Sequence, residues 1–224
     1  MNPSAPLAAP AAPRGLEPPL LSQGTSRPLI LGSTSRYRRE LLERLRVPFD
    51  VAAPEVDETP QPGEAPRALA ERLALAKARA VAQAFPGAVV IGSDQVADLN
   101  GVPLGKPGNH ARAVLQLRQM RGQAVVFQTA VAVVCLETGF AQSALAAVRV
   151  KFRNLGDAEI EHYLRAEQPY DCAGSAKSEG LGIALLESID SDDPTALIGL
   201  PLIRTCRLIS AAGIALLAPR EAAR

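Results

Sequence analysis

The sequence predicts a single α/β domain, arranged as two lobes around a cleft. Three observations point there. Short apolar runs at 29–31 and 88–91 each lead into a small-residue turn, the pattern of buried strands in an α/β sheet. Helix-spaced apolar stripes follow these strands, the strongest over 67–84, and two long β segments occupy the middle of the chain. With 224 residues, 47% hydrophobic and 21% charged, the chain can bury a real core and does not have a disordered composition.

In chain order, 1–28 is rich in Ala and Pro and has no basic cluster ahead of an apolar stretch. It reads as a disordered extension rather than a secretory signal. The strand at 29–31 is followed by Gly32-Ser33-Thr34-Ser35 and a helix over 36–45. Leu41, Leu42 and Leu45 share one face of that helix, and Ser35 is its N-cap. A second strand is expected over 49–52, then a loop over 54–66 carrying Glu55, Asp57 and Glu58. In the helix over 67–84, Leu69, Leu73, Ala76 and Ala80 form one stripe. The strand at 88–91 runs into Gly92-Ser93-Asp94-Gln95.

Asn100-Gly101 marks a hairpin within 97–104, and Asn109 caps a helix over 109–120. The long β segments are expected over 125–136 and 145–153. In the second, Val148, Val150 and Phe152 alternate with Arg149, Lys151 and Arg153, so one face is buried and the basic one solvated. A helix over 157–166, a strand over 183–189 and a helix over 200–212 complete a domain spanning 29–217. Residues 218–224 are expected to be a flexible tail.

Composition narrows the chemistry. A formal charge of +1 lacks the basic excess of a dedicated nucleic-acid binder, so no nucleic-acid partner is expected. No apolar run approaches the ~20 residues of a membrane span. The three cysteines form no C-x-x-C pair, which points to a reducing compartment, hence a cytoplasmic location, rather than to zinc or disulfides. With only His110 and His162, acid–base work must fall to carboxylates.

Four stretches can carry such work. At Ser33-Thr34-Ser35-Arg36-Tyr37-Arg38-Arg39, unsatisfied amides at a helix start favour an anion. Ser33, Arg38 and Arg39 can add donors there, although an ordinary capped helix fits equally well. Asp94 follows an apolar strand, where α/β sheets place their ligand crevice; it can hold a divalent ion, serve as a base, or merely cap a turn. Glu58 lies among loop acids that can bind Mg²⁺ or simply be solvated. Of the isolated lysines Lys77, Lys106 and Lys177, Lys77 sits among alanines, where snorkelling is the plain reading. The stretch from Cys172 to Gly180 brings a cation and the acid Glu179 close in sequence. Asp190, Asp192 and Asp193 read as a turn and a cap.

Together these stretches resemble the Maf family of nucleotide pyrophosphatases, the septum-formation inhibitor-like proteins. The matching motifs are Ser33-Thr34-Ser35-x-x-Arg38-Arg39, Val56-Asp57-Glu58-Thr59, Gly92-Ser93-Asp94-Gln95-Val96, Gly105-Lys106-Pro107, Cys172-Ala173-Gly174-Ser175 and Gly199-Leu200-Pro201-Leu202. The resemblance implies a mixed-sheet Maf/ITPase-like fold and metal-dependent (Mg or Mn) release of pyrophosphate from a nucleoside triphosphate. It implies Asp94 as proton acceptor, Glu58 and Asp94 as metal ligands, and Ser33, Arg38, Lys77 and Lys106 around the phosphates.

Tyr37, Gln95 and Glu179 are similar to the branch acting on 7-methyl-GTP; in the dTTP/UTP branch Arg, Thr and Gln usually hold those places. A 7-methylated guanine is cationic, so an aromatic face and an acid suit it. Some relatives carry Trp at the place of Tyr37, a stronger stacking platform. A dTTP/UTP or other modified-nucleotide pyrophosphatase, and a non-catalytic nucleotide-binding regulator of division, remain alternatives. A homodimer is left open.

Overall fold

The structure is a computed structural model and describes residues 27–217. The extension expected over 1–28 lies outside the described residues except for Arg27 and Pro28, and so does the tail over 218–224. Those two residues join the fold: Arg27 donates to Gly87 O (3.1 Å) and pairs with Glu137, and Pro28 O accepts from Val89 N at 2.8 Å.

One seven-stranded mixed sheet organises the molecule. Its strands are β1 (Leu29–Gly32), β2 (Asp50–Ala52), β3 (Val89–Leu99), β4 (Val102–Leu104), β5 (Ala124–Cys135), β6 (Phe140–Phe152) and β7 (Leu186–Asp190). The order is β2-β1-β3-β5-β6-β7, with β4 paired to β3 off that path. β1 runs parallel to β2 and β3, and the other pairings are antiparallel. Among the described residues five α-helices accompany the sheet: α1 (Arg36–Glu43), α2 (Pro66–Ala84), α3 (His110–Met120), α4 (Asp157–Glu167) and α5 (Leu202–Ala211).

Alternation along β3 and β5 divides the core. Val90, Val96, Ala130 and Ala132 face α2. On the other face, Ile91, Val131 and Val133 pack with α1 and α5, while Ala97, Val125 and Phe127 pack with α3 and α4. That face thus carries two separate apolar clusters, one under each lobe.

Helix α2 lies very close to β3. A methyl group on Gly92 would stand 2.3 Å from Ala74 O and 2.5 Å from Ala78 N, so only glycine admits the helix backbone at this depth. The alanines of α2 have the same effect from the helix side. Ala70, Ala74, Ala78 and Ala82 are all fully buried.

Several boundaries differ from the sequence reading. The strand expected to stop at 91 continues through Leu99, because Ser93, Asp94 and Gln95 stay in register with Val131, Ala130 and Thr129 of β5. Asp94 therefore lies within a strand rather than beyond its end. Strand β6 starts at Phe140, five residues before expected, its exposed Gln142 and Ser143 still paired to β5. The strand expected over 183–189 is half 3-10 helix (Leu181–Leu185), and only Leu186–Asp190 is extended. Gly182 packs there against the Lys177 backbone, leaving 2.4 Å between a methyl in its place and Lys177 O. A five-residue apolar run cannot reveal such a contact. Asp193 acts as the expected cap: it is fully buried, and its Oδ2 accepts from Ile203 N and Arg204 N at the start of α5.

Candidate active site

The cleft follows from the sheet topology. Strand β3 pairs with β5 along one edge from Val90 to Asp98. Its other edge pairs with β1 only as far as Gly92 and with β4 only from Ala97 onward. Ser93 to Val96 are left with that edge uncovered, at the carboxyl end of parallel β1, where α/β sheets bind ligands. A cavity of about 420 Å³ opens at this place.

Its first wall is the β1–α1 turn. Ser35 caps α1, its hydroxyl accepting from Arg38 N at 3.5 Å. The first-turn amides point outward beyond the helix end without intrahelical acceptors. Ser33, 3% exposed, accepts hydrogen bonds from Ser35 N (3.2 Å) and Arg38 Nη1 (3.3 Å). Both use the oxygen, leaving the hydroxyl hydrogen to donate. Arg38 Nε donates to Gly199 O at 2.9 Å, which aims the guanidinium across the turn. Burial lowers the Arg38 pKa while Asp94 and Glu58 oppose that shift, and an arginine so placed stays cationic. Arg39, expected beside Arg38, instead points outward and pairs with Glu43.

The close approach of α2 makes the floor. Lys77 is only 5% exposed, and its ammonium lies 2.7 Å from Asp94 Oδ1 and 2.8 Å from Glu58 Oε1. It does not snorkel. Asp94 is 8% exposed; its Oδ1 holds Lys77, and its Oδ2, with no hydrogen-bond partner among the described residues, is not sealed from solvent. Burial raises the Glu58 pKa, but the hydrogen bond and charge of Lys77, with Lys106 and Arg38, hold it below the ordinary glutamate value.

These two acids also fit a metal. Their oxygens already converge on one cation, and Mg²⁺ commonly takes one or two protein carboxylates with substrate oxygens. Among the described residues no group of three or more His, Cys, Asp or Glu side chains is placed to hold a metal ion. The remaining ligands would have to come from substrate and water.

Gln95 fills the opposite face of the strand. Its Nε2 donates to Thr129 Oγ1 and Ala196 O, both at 2.9 Å, and to Leu197 O at 3.1 Å. Those acceptors fix the amide orientation and turn Oε1 away from them. Ser93 Oγ binds Ala130 O and Gly199 O. Thus the 196–199 segment, braced by Thr195 between Asp193, Leu200 O and Leu202 N, is stitched to β3. Thr129 and the carbonyls of 196–199 escaped the sequence reading, because backbone acceptors and one threonine in an apolar strand carry no signal.

The far wall holds Lys106, Asp171, Cys172 and Glu179. Gln116 of α3 links two of its loops, donating to Gly105 O (3.0 Å) and accepting from Ser175 Oγ (2.6 Å). Glu179 lines the cavity. Its pKa is raised by burial, with Glu167 and Glu40 adding to that rise and its own amide and Lys177 opposing it. Burial also pushes the Cys172 thiol up to about 12, so it is no thiolate nucleophile. Tyr37 stands at this end, its ring covered by the Arg36 guanidinium at 4.7 Å and its hydroxyl 2.7 Å from Arg36 Nη2. Lys177 Nζ is 6.0 Å from the same ring and paired with Glu167. The ring thus already has two cations near it.

Of the nine residues to which the family resemblance gives a role, Ser33, Tyr37, Arg38, Glu58, Lys77, Gln95, Lys106 and Glu179 line this one cavity, and Asp94 is ion-paired to its floor. The chain matches the Maf-like protein family over residues 28–212.

The chain belongs to the Maf-like family.

Three similar proteins share one description. A protein of Polaromonas sp. (strain JS666) is 78% identical over 215 residues, covering 96% of this chain and 95% of its own length. One of Albidiferax ferrireducens is 74% identical, covering 88% and 99%. One of Burkholderia pseudomallei is 63% identical, covering 87% and 93%. Each of the three is described as a 7-methyl-GTP pyrophosphatase. In this Maf-like chain no helix among the described residues is long and apolar enough to cross a membrane.

Proposed function

We propose that the protein hydrolyses 7-methyl-GTP to 7-methyl-GMP and pyrophosphate, clearing a modified nucleotide in the cytoplasm. The carrying observation is the single cleft. It joins donors for a polyphosphate, a buried lysine–carboxylate pair, and an aromatic ring with an acid at its far end. The relatives' shared description supports the same substrate.

In this reading the triphosphate lies along the β1–α1 turn, gripped by Ser33, Arg38 and the first-turn amides, with Lys106 across the cleft. Asp94 orients a water through Oδ2 and takes its proton as the water attacks the α-phosphorus. The bond from that phosphorus to the bridging oxygen breaks, and pyrophosphate leaves toward Arg38, Lys77 and Lys106. Glu58 and Asp94 would hold a divalent cation, Mg²⁺ or Mn²⁺, which when bound neutralises the triphosphate and polarises the reacting phosphoryl group. The chain's own work is positioning and charge stabilisation, as in phosphoryl transfer generally.

At the base end, Tyr37 stacks on the cationic purine, Glu179 accepts from its Watson–Crick edge, and Gln95 Oε1 offers an acceptor. The test is pyrophosphate release from 7-methyl-GTP, GTP, dTTP, UTP and ITP, with and without a chelator. Turnover is expected to favour 7-methyl-GTP, to stop with the chelator and to return with Mg²⁺ or Mn²⁺. A preference for dTTP or UTP rejects the substrate.

Tyr37→Ala is expected to narrow the preference for 7-methyl-GTP over GTP by roughly 2- to 30-fold, the span of a cation–π contact of ~0.5–2 kcal/mol. Tyr37→Trp should widen it. Paired kcat/KM values for the two substrates check both.

A further inference from the structure

A second, smaller cavity of about 180 Å³ adjoins the first. The two share Glu179, Leu197 and Ile198, so the acid at the base end has a binding cleft on one side and an annex on the other. The annex differs in character. Val148, Ile183, Ile189 and Pro194 supply its apolar lining, beside Ser178, Ser191, Asp193 and Glu179. Ser191 and Asp193 are already hydrogen-bonded to each other and, through Asp193, to the start of α5, so the apolar side chains are what a small alkyl group would meet.

A carboxylate pairing bidentately with a guanine edge uses N1–H and one hydrogen of the exocyclic amine N2. The second N2 hydrogen points away from the carboxylate. Beside Glu179, Leu197 and Ile198 line both the cleft and the annex.

We propose that the annex accepts an alkyl substituent on N2, making N2-alkylated 7-methylguanosine triphosphates a second substrate class. This rests on the reading of Glu179 as the acceptor for the base edge. One N2-methyl keeps both hydrogen bonds to Glu179. Two methyls remove one of them, and a site built to pair with an N–H discriminates against its loss.

The experiment measures pyrophosphate release from 7-methyl-GTP, N2,7-dimethyl-GTP and N2,N2,7-trimethyl-GTP by the wild type, Ile189→Trp and Ile183→Trp. Both isoleucines are substantially exposed, at 43% and 52%, so a tryptophan can lie over the annex without disturbing the core. For the wild type, kcat/KM with the dimethyl substrate is expected within about threefold of that with 7-methyl-GTP, and at least tenfold lower with the trimethyl one. The tryptophan variants should lose the dimethyl substrate by roughly 10-fold or more, the usual range for a methyl that no longer fits its pocket, while keeping 7-methyl-GTP.

Two results overturn the annex alone: 7-methyl-GTP cleaved with the dimethyl substrate at least a hundredfold slower, or dimethyl turnover unchanged in both variants. Failure to cleave 7-methyl-GTP at all overturns the substrate assignment, and the annex proposal with it.

Discussion

Asp94→Asn is expected to lower kcat/KM for 7-methyl-GTP by roughly 10²- to 10⁴-fold, the range that a positioned general base contributes. Asparagine keeps the shape of the side chain but cannot accept a proton. It also removes the negative charge facing Lys77, although its amide oxygen can still accept from the ammonium. The fold should survive. Losing one partner of a buried ion pair is severe when the other charge is stranded, but Lys77 keeps Glu58 Oε1 at 2.8 Å. The melting temperature is expected to fall by no more than about 5 °C, given ~2–4 °C per kcal/mol for a domain of this size. Single-turnover pyrophosphate release and a thermal melt on the same preparation check both statements. Near-wild-type turnover would remove Asp94 as the base. A large drop in melting temperature would assign the residue to structure instead.

Much of this site was legible in the sequence because its side chains sit where strands meet turns. Ser33 and Arg38 follow β1, and Asp94 follows the parallel-paired part of β3; small residues next to charged ones mark such places. Lys77 was ambiguous. A lysine among alanines suggests a snorkelling chain, and only the position of Asp94 on the facing strand reveals the ion pair.

The length of β3 was misread for a related reason. Ser93, Asp94 and Gln95 look like a turn by composition, yet β5 pairs with all three, and their polar groups face the cleft or find buried acceptors. The cleft itself arises from the gap between β1 and β4 on one edge of β3, a property of pairing that no local window contains. The Arg36 guanidinium over Tyr37 and the carbonyls of 196–199 were equally out of reach, being respectively a rotamer and backbone.

Gly92→Ala should damage the protein by a different route, acting on stability and activity together. The added methyl would meet Ala74 O at 2.3 Å, Ala78 N at 2.5 Å and Ala78 Cβ at 2.9 Å. Two of these are backbone atoms in the middle of a 19-residue helix and cannot rotate away. Either α2 lifts from the sheet or β3 bends.

Overpacking of this kind costs typically ~1–3 kcal/mol, so the melting temperature is expected to drop by about 2–12 °C. Lys77 lies between Ala74 and Ala78 on the same helix, and Asp94 is two residues beyond Gly92 on the strand. Lifting the helix therefore stretches the 2.7 Å contact that sets the floor of the cleft. Activity at a temperature well below the melt is expected to fall at least tenfold, since a misplacement of about 1 Å in a catalytic site can reduce rate by ~10²-fold.

A second substitution separates the two effects. Gly101→Ala adds a methyl at a turn glycine that has nothing within 4 Å of the new group, although its φ of +85° strains any side chain. It should destabilise through backbone strain while leaving kcat/KM near the wild-type value. If Gly92→Ala loses only stability and keeps full turnover, the tight seating of α2 on β3 is a packing feature alone, and the lysine–aspartate floor does not depend on it.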